Sequence, residues 1–203
     1  LIETKAYENS KIISQKILKK IKIKNDANIL IEFTKEVHFL YLKQKNNRSK
    51  QPILYKLNPY LTNRRLPSFI KIQEGAINAL YNYGICDSAS RTLVYLLKKN
   101  NYNAKQLNIV NKFSGGHSVV IVSLKNNQTV ILDPHVGTYA YFQGDLISAK
   151  KAKYLTKKIN YKKIWKSISP YSDLELYRYK YFDTAIFAPQ GEGLIIDMNL
   201  NIS

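Results

Sequence analysis

Cysteine is nearly missing from this chain: Cys86 is the only one in 203 residues. That excludes an internal disulfide framework and removes cysteine usage as a guide to compartment, while leaving one free thiol. There is no apolar run approaching the roughly 20 residues of a membrane span, and no signal-peptide pattern. The chain begins at Leu1 rather than Met, so a leader or anchor ahead of it is left open. Acidic residues are scarce as well, 14 against 32 lysines and arginines, for a formal net charge of +18. Such a balance ordinarily points to nucleic acid, an anionic membrane surface or acidic polymers. The lysines far outnumber the arginines and are spread along the chain, whereas bidentate recognition of bases and phosphates prefers arginine, so nucleic acid is not the expected partner. The abundance of Ile, Asn and Tyr also allows part of the lysine excess to be a genomic bias. No repeat or low-complexity linker divides the chain, and its length suits one domain with a proper core. We read 1–203 as that domain, with a basic amino-terminal helix over 1–27, a core over 28–140 and an extension over 141–203 that completes a sheet.

What is present begins with a helical pattern over 7–22, where Ile12, Ile13, Ile17 and Ile21 recur among lysines. Its basic face suits peripheral contact with a membrane, although a solvated lysine face on a helix packed against the domain is the commoner outcome. Asp26 is placed to cap a second helix whose apolar face is Ile29, Leu30, Phe33, Val37, Leu40 and Tyr41. His38 lies beside that face as a structural histidine without assigned chemistry. The stretch 43–67 has no lasting period and reads as a surface connection of the kind that borders clefts. A third helix carries Ile72, Ala76, Ala79 and Leu80 and stops at Tyr83-Gly84. The next helix starts at Cys86, with Ala89, Leu93, Leu96 and Leu97 on one face, and ends near Lys98-Lys99 with Asn100 or Asn101 as its left-handed cap.

Beyond that helix the period becomes that of strands. Leu107 and Ile109 alternate with Gln106 and Asn108 over 105–110. His117 opens a run, Val119-Val120-Ile121-Val122, apolar on both faces. Lys125-Asn126-Asn127 then turns the chain into a returning strand over 129–132, closed by Asp133-Pro134. From Gly137 onward the pattern weakens to a basic stretch over 150–163, one or two strands within the tyrosine-rich 174–187, and a Gly- and Asn-rich tail.

Cys86 at a helix start is the chemical lead, because the unpaired N–H groups and positive dipole end there favour a thiolate. A hairpin loop of three residues would set Val119 opposite Asp133 and leave His117 diagonal to that carboxylate, about 7–8 Å away by Cα and on the same face. A two-residue loop would send the two to opposite faces. In the first register Cys86, His117 and Asp133 stand in order as nucleophile, base and orienter. Asp87, next to the thiol, opposes a thiolate electrostatically.

The runs Gly84-Ile85-Cys86-Asp87-Ser88-Ala89, Leu96-Leu97, Asn103-Ala104-Lys105, Gly116-His117 and Leu132-Asp133-Pro134 together resemble the core of the transglutaminase-like superfamily of papain-fold cysteine enzymes, over roughly 28–137. The resemblance implies an α+β fold with a papain-like, transglutaminase-like core: a catalytic helix packed on an antiparallel sheet, with helices at the amino end. It implies Cys86 as nucleophile, His117 as base and Asp133 as its partner, with no cofactor and no metal required. Lys105 stands where that family usually has arginine, and Ser118-Val119 follows the histidine where an aromatic is common.

The implied activity is thiol-dependent acyl transfer on a peptide or carboxamide bond, with hydrolysis favoured over amine crosslinking. A protein or peptide substrate, acidic or glycan-bearing, would suit the basic surface. The compartment is left open, with a bacterial, extracytoplasmic setting slightly favoured over a cytoplasmic one. For the oxyanion, the Cys86 N–H is one expected donor, and Gln73, Tyr81 and Tyr83 are candidates for the second. The other readings are a non-catalytic module that holds an anionic polymer, membrane or nucleic acid on its lysines, and a metal site built from His117, His135 and Asp133, which lacks a recognisable zinc spacing.

Overall fold

A computed structural model of the chain describes residues 2–21, 25–44, 75–81, 84–111, 115–172, 177–180 and 182–189. Two long helices, α1 (Ile2–Lys20) and α2 (Asp26–Gln44), precede the short α3 (Ala76–Tyr81) and the helix that starts at the cysteine, α4 (Cys86–Lys99). Ile13, Ile17 and Ile21 are buried, so this face of α1 is used in the core, whereas Ile12 is 64 % exposed and does not share it. Asn25, not Asp26, caps α2: its Oδ1 accepts the N–H of Asn28 at 2.8 Å. Asp26, already inside the helix, accepts instead from the Tyr102 hydroxyl at 3.0 Å. At the far end of α4, Asn101 takes the left-handed conformation with φ 65°. Most of the surface connection expected over 43–67, the amino-terminal part of the third helix and the tail lie outside the described residues.

The strands are β1 (Asn103–Asn111), β2 (Gly115–Ser123), β3 (Thr129–Asp133), β4 (Thr138–Phe142), β5 (Asp145–Leu146), β6 (Trp165–Ser167) and β7 (Ile186–Pro189), with α5 (Ala149–Thr156) and a single helical turn, α6 (Tyr177–Lys180), among the later ones. They form one antiparallel sheet in the order β5-β4-β3-β2-β1-β7, with β6 also paired to β4. The architecture is therefore α+β. Both sheet faces are covered, which is why residues 119–122 are apolar without alternation. On one face Val120, Val122, Val130 and Leu132 pack with Leu93, Leu96 and Leu97 of α4 and with Phe33 and Val37 of α2. On the other, Leu107, Ile109, Val119 and Ile131 pack with Trp165, Tyr179 and Phe182.

The β2–β3 turn has three residues: Val120 pairs with Leu132, Ser123 with Thr129, and the Leu124 N–H donates to the Gln128 carbonyl at 2.8 Å. This is the register that brings His117 and Asp133 to one face. Two later elements differ from the sequence reading. Tyr177 and Tyr179 belong to a helical turn, not to a strand. Tyr179 and Phe182, three residues apart, both turn onto Trp165, with ring centroids 4.3 and 5.1 Å from it, and this packing overrides the alternation of tyrosines. The nearest described strand, β7, overlaps the expected range only at Ile186 and Phe187 and extends the sheet beside β1. The β4–β5 hairpin was not legible; it turns on Gln143 and Gly144, both with positive φ. No helix among the described residues is long and apolar enough to cross a membrane.

Candidate active site

Three elements meet at Cys86. Gly84, at φ 118°, takes a backbone conformation that side-chain-bearing residues avoid, and so turns the chain into α4. Ile85 occupies the N-cap, and no side-chain hydrogen bond caps the helix. An isoleucine cannot accept from the first-turn N–H groups as Ser, Thr, Asp or Asn would. Cys86 itself is half-buried.

The second element is β2. Its described pairing with β3 runs only from Val120 to Ser123, so the strand continues past its partner at Ser118 and His117. The start of α4 lies against this part of the strand. The Ser118 carbonyl accepts from the Ser90 hydroxyl at 2.9 Å, and the Ser118 N–H donates to the Cys86 sulfur. Among the described residues, the strand's backbone bonds here go to the helix and not to a further strand.

His117 is 4 % exposed and its Nε2 lies 2.5 Å from Asp133 Oδ2. With Nε2 committed to the carboxylate, Nδ1 is the nitrogen left for the hydrogen bond that His117 makes with Cys86. Burial pushes the Cys86 thiol up, but the hydrogen bond and charge of His117, together with the Ser118 N–H, outweigh it, and the thiol is held below its ordinary value despite opposition from Asp133. Asp87 does not act as expected. Its Oδ2 takes Arg91 Nε at 2.9 Å and its Oδ1 takes Gln106 Nε2 at 2.7 Å, so the carboxylate is engaged along α4 and β1.

Asp133 is fully buried, and both of its oxygens are saturated. Oδ1 accepts the N–H groups of His135 and Val136, each at 3.1 Å. Oδ2 accepts from His117 and from the hydroxyl of Tyr179. Burial alone would raise this carboxyl, yet the neighbouring His117 and these donors bring it down to about 2. The turn that follows is held by His38, whose Nδ1 faces two acceptors, the carbonyls of Pro134 and His135, both at 3.2 Å, and so acts as the donor. His38 is thus structural, as expected, and it holds the loop that presents Asp133.

The structure therefore brings Cys86, His117 and Asp133 together. Gln73 and Tyr83 lie outside the described residues, as does the Tyr81 side chain, so the second oxyanion donor has no structural placement. His135 is half-buried with its ring 6.1 Å from that of His117. Among the described residues, no group of three or more His, Cys, Asp and Glu side chains is arranged to hold a metal ion. The reading from sequence missed Tyr179 and Thr138, whose hydroxyls lie 2.6 Å apart behind Asp133. The helical spacing of Tyr179 and Phe182 was the only trace of the former. Against protein-family models, curated proteins and solved structures alike, the chain has no match.

Proposed function

We propose that this chain is a thiol-dependent acyl-transfer enzyme with a papain-like, transglutaminase-like core, acting on a peptide or carboxamide carbonyl. The observation that carries the reading is the unbroken path from the Cys86 sulfur through the His117 ring to Asp133 Oδ2. An ordinary buried cysteine has no need of an imidazole whose other nitrogen is pinned by a carboxylate ionised down to about pH 2.

In this mechanism His117 Nδ1 takes the thiol proton, and Asp133 stabilises the resulting imidazolium through Nε2–H. The Cys86 thiolate attacks the carbonyl carbon. The C–S bond forms as the carbonyl π pair moves onto oxygen, and that oxyanion faces the start of α4, where the Cys86 N–H is the donor, a contact worth about 10²–10³ in rate. Collapse of the intermediate breaks the C–N bond, and His117 returns its proton to the departing amine. The acyl-enzyme is then attacked by water, or by a second amine, with His117 again as base. Nothing described beside Cys86 is built to select an amine, and hydrolysis is the favoured outcome.

The test is the pH dependence of Cys86 alkylation by iodoacetamide in the native protein. Stoichiometric labelling at a pH where free thiols are sluggish, lost in His117→Ala, supports the reading. A thiol that reacts only after denaturation sinks it.

A further inference from the structure

Asp133 Oδ2 is shared. The oxygen that holds His117 Nε2 also accepts the hydroxyl of Tyr179, which comes from the far end of the chain. Tyr179 is fully buried, and its ring is stacked on Trp165 at 4.3 Å. Since a hydroxyl carries one proton and Tyr179 gives its own to Asp133, the 2.6 Å contact between Thr138 Oγ1 and Tyr179 Oη is a donation from the threonine. Thr138 is fully buried too, and it pairs with Asp133 across β3 and β4. The result is a chain of donors, Thr138 to Tyr179 to Asp133, ending on the oxygen that the histidine uses. Chained hydrogen bonds polarise one another, so the threonine strengthens the donation made by the tyrosine.

This arrangement is not needed merely to hold the carboxylate in place. Oδ1 already carries two backbone N–H bonds from the Asp133–Val136 turn, and His117 engages Oδ2. What the tyrosine adds is competition for electron density on Oδ2. We infer that Tyr179, backed by Thr138, is a positioning residue that weakens the grip of Asp133 on the His117 imidazolium and so keeps the imidazole able to give its proton to a leaving group. The inference rests on the acyl-transfer reading, in which His117 must first gain and then surrender that proton. Among the described residues, the titratable groups facing His117 include Cys86 from α4, Asp133 from the end of β3, His135 from the turn after it and, across Oδ2, Tyr179 from α6.

The experiment is an NMR titration of the His117 ring in the full chain, which has only two other histidines to assign, His38 and His135, run beside iodoacetamide alkylation of Cys86. In Tyr179→Phe the unshared Oδ2 binds the imidazolium more tightly, so the His117 midpoint moves to higher pH. Thr138→Val moves it in the same direction by less, Thr138→Ser restores the wild-type value, and the Tyr179→Phe/Thr138→Val double variant moves it no further than Tyr179→Phe alone. A purely structural tyrosine predicts the opposite sign, because a loosened His117–Asp133 contact lowers the midpoint. A midpoint in Tyr179→Phe that stays put or falls, while wild-type Cys86 keeps its activated alkylation, overturns this inference and leaves the acyl-transfer reading standing. Wild-type alkylation like that of a free thiol overturns both. Should Tyr179→Phe fail to fold, the Thr138 pair decides alone: a midpoint unchanged between Thr138→Val and Thr138→Ser overturns the proposal.

Discussion

Ser90 and Ser118 join the cysteine helix to the histidine strand: the Ser90 hydroxyl, one turn into α4, donates to the Ser118 carbonyl at 2.9 Å, while the Ser118 N–H reaches the Cys86 sulfur. Both residues are buried. One peptide group of β2 and its neighbour thereby fix the helix start along the strand, and the reach between thiol and imidazole follows from that anchor.

Ser90→Ala should cost more than a surface hydrogen bond. It leaves a buried carbonyl without this donor, a loss of about 1–3 kcal/mol. Thermal unfolding should register the cost. If the anchor sets the thiol–imidazole contact, the alkylation profile of Cys86 also moves toward that of an ordinary thiol; an unchanged profile would show that the helix start is held by other contacts.

Gly137 closes the Asp133 turn at φ 75°, and a Cβ there would lie 2.6–2.7 Å from ring atoms of His38. Gly137→Ala should therefore destabilise by more than the roughly 1–2 kcal/mol of left-handed strain alone. In a His38→Ala background the clash disappears and only the strain remains. A double-mutant cycle by urea denaturation should return a coupling energy well away from zero, and additivity would refute the contact.

The acid limb of stability should carry the signature of Asp133. Its carboxyl titrates at about 2 when folded and at about 4 when unfolded, so the folded state prefers the ionised form. The stabilisation, roughly 2 kcal/mol, is complete above about pH 4 and is lost as the pH falls through about 2. Asp133→Asn should lower stability at neutral pH, because every donor facing this site expects an acceptor and the amide presents one NH2 among them. It should also flatten the decline below pH 4. Chemical denaturation at several pH values measures both, and a parallel decline in the variant would remove Asp133 from the account.

Ile85→Asp should separate stability from reactivity. A carboxylate at the N-cap takes up first-turn N–H groups and favours the helix dipole, raising stability by about 1 kcal/mol. The same charge beside Cys86 opposes the thiolate. The variant should melt higher and alkylate more slowly at neutral pH; faster alkylation would contradict the role given to the uncapped helix start.

The triad's geometry was legible because it depends on local chemistry. Turn residues at 125–127 set the hairpin register, a glycine at 84 sets the helix start, and period-two alternation assigns faces. The Asn25 cap was missed because Asn25 and Asp26 are both good caps, and only the Tyr102 hydroxyl, distant in sequence, draws Asp26 away. Tyr179 escaped for a similar reason. Its alternation with Tyr177 reads as a strand, while the packing that draws it out of one is on Trp165, and its partner Asp133 lies 46 positions back. Local pattern carries register and caps, but it carries no account of which distant hydroxyl will complete a buried carboxylate.

The two oxygens of Asp133 consequently mature at different times during synthesis. Oδ1 is satisfied by His135 and Val136, which leave the ribosome soon after it, whereas Oδ2, already within reach of His117, gains its second donor only with Tyr179. A nascent chain that has already formed the hairpin and the cysteine helix still holds an unfinished carboxylate until the carboxy-terminal segment docks onto Trp165. Until then Oδ2 answers to His117 alone.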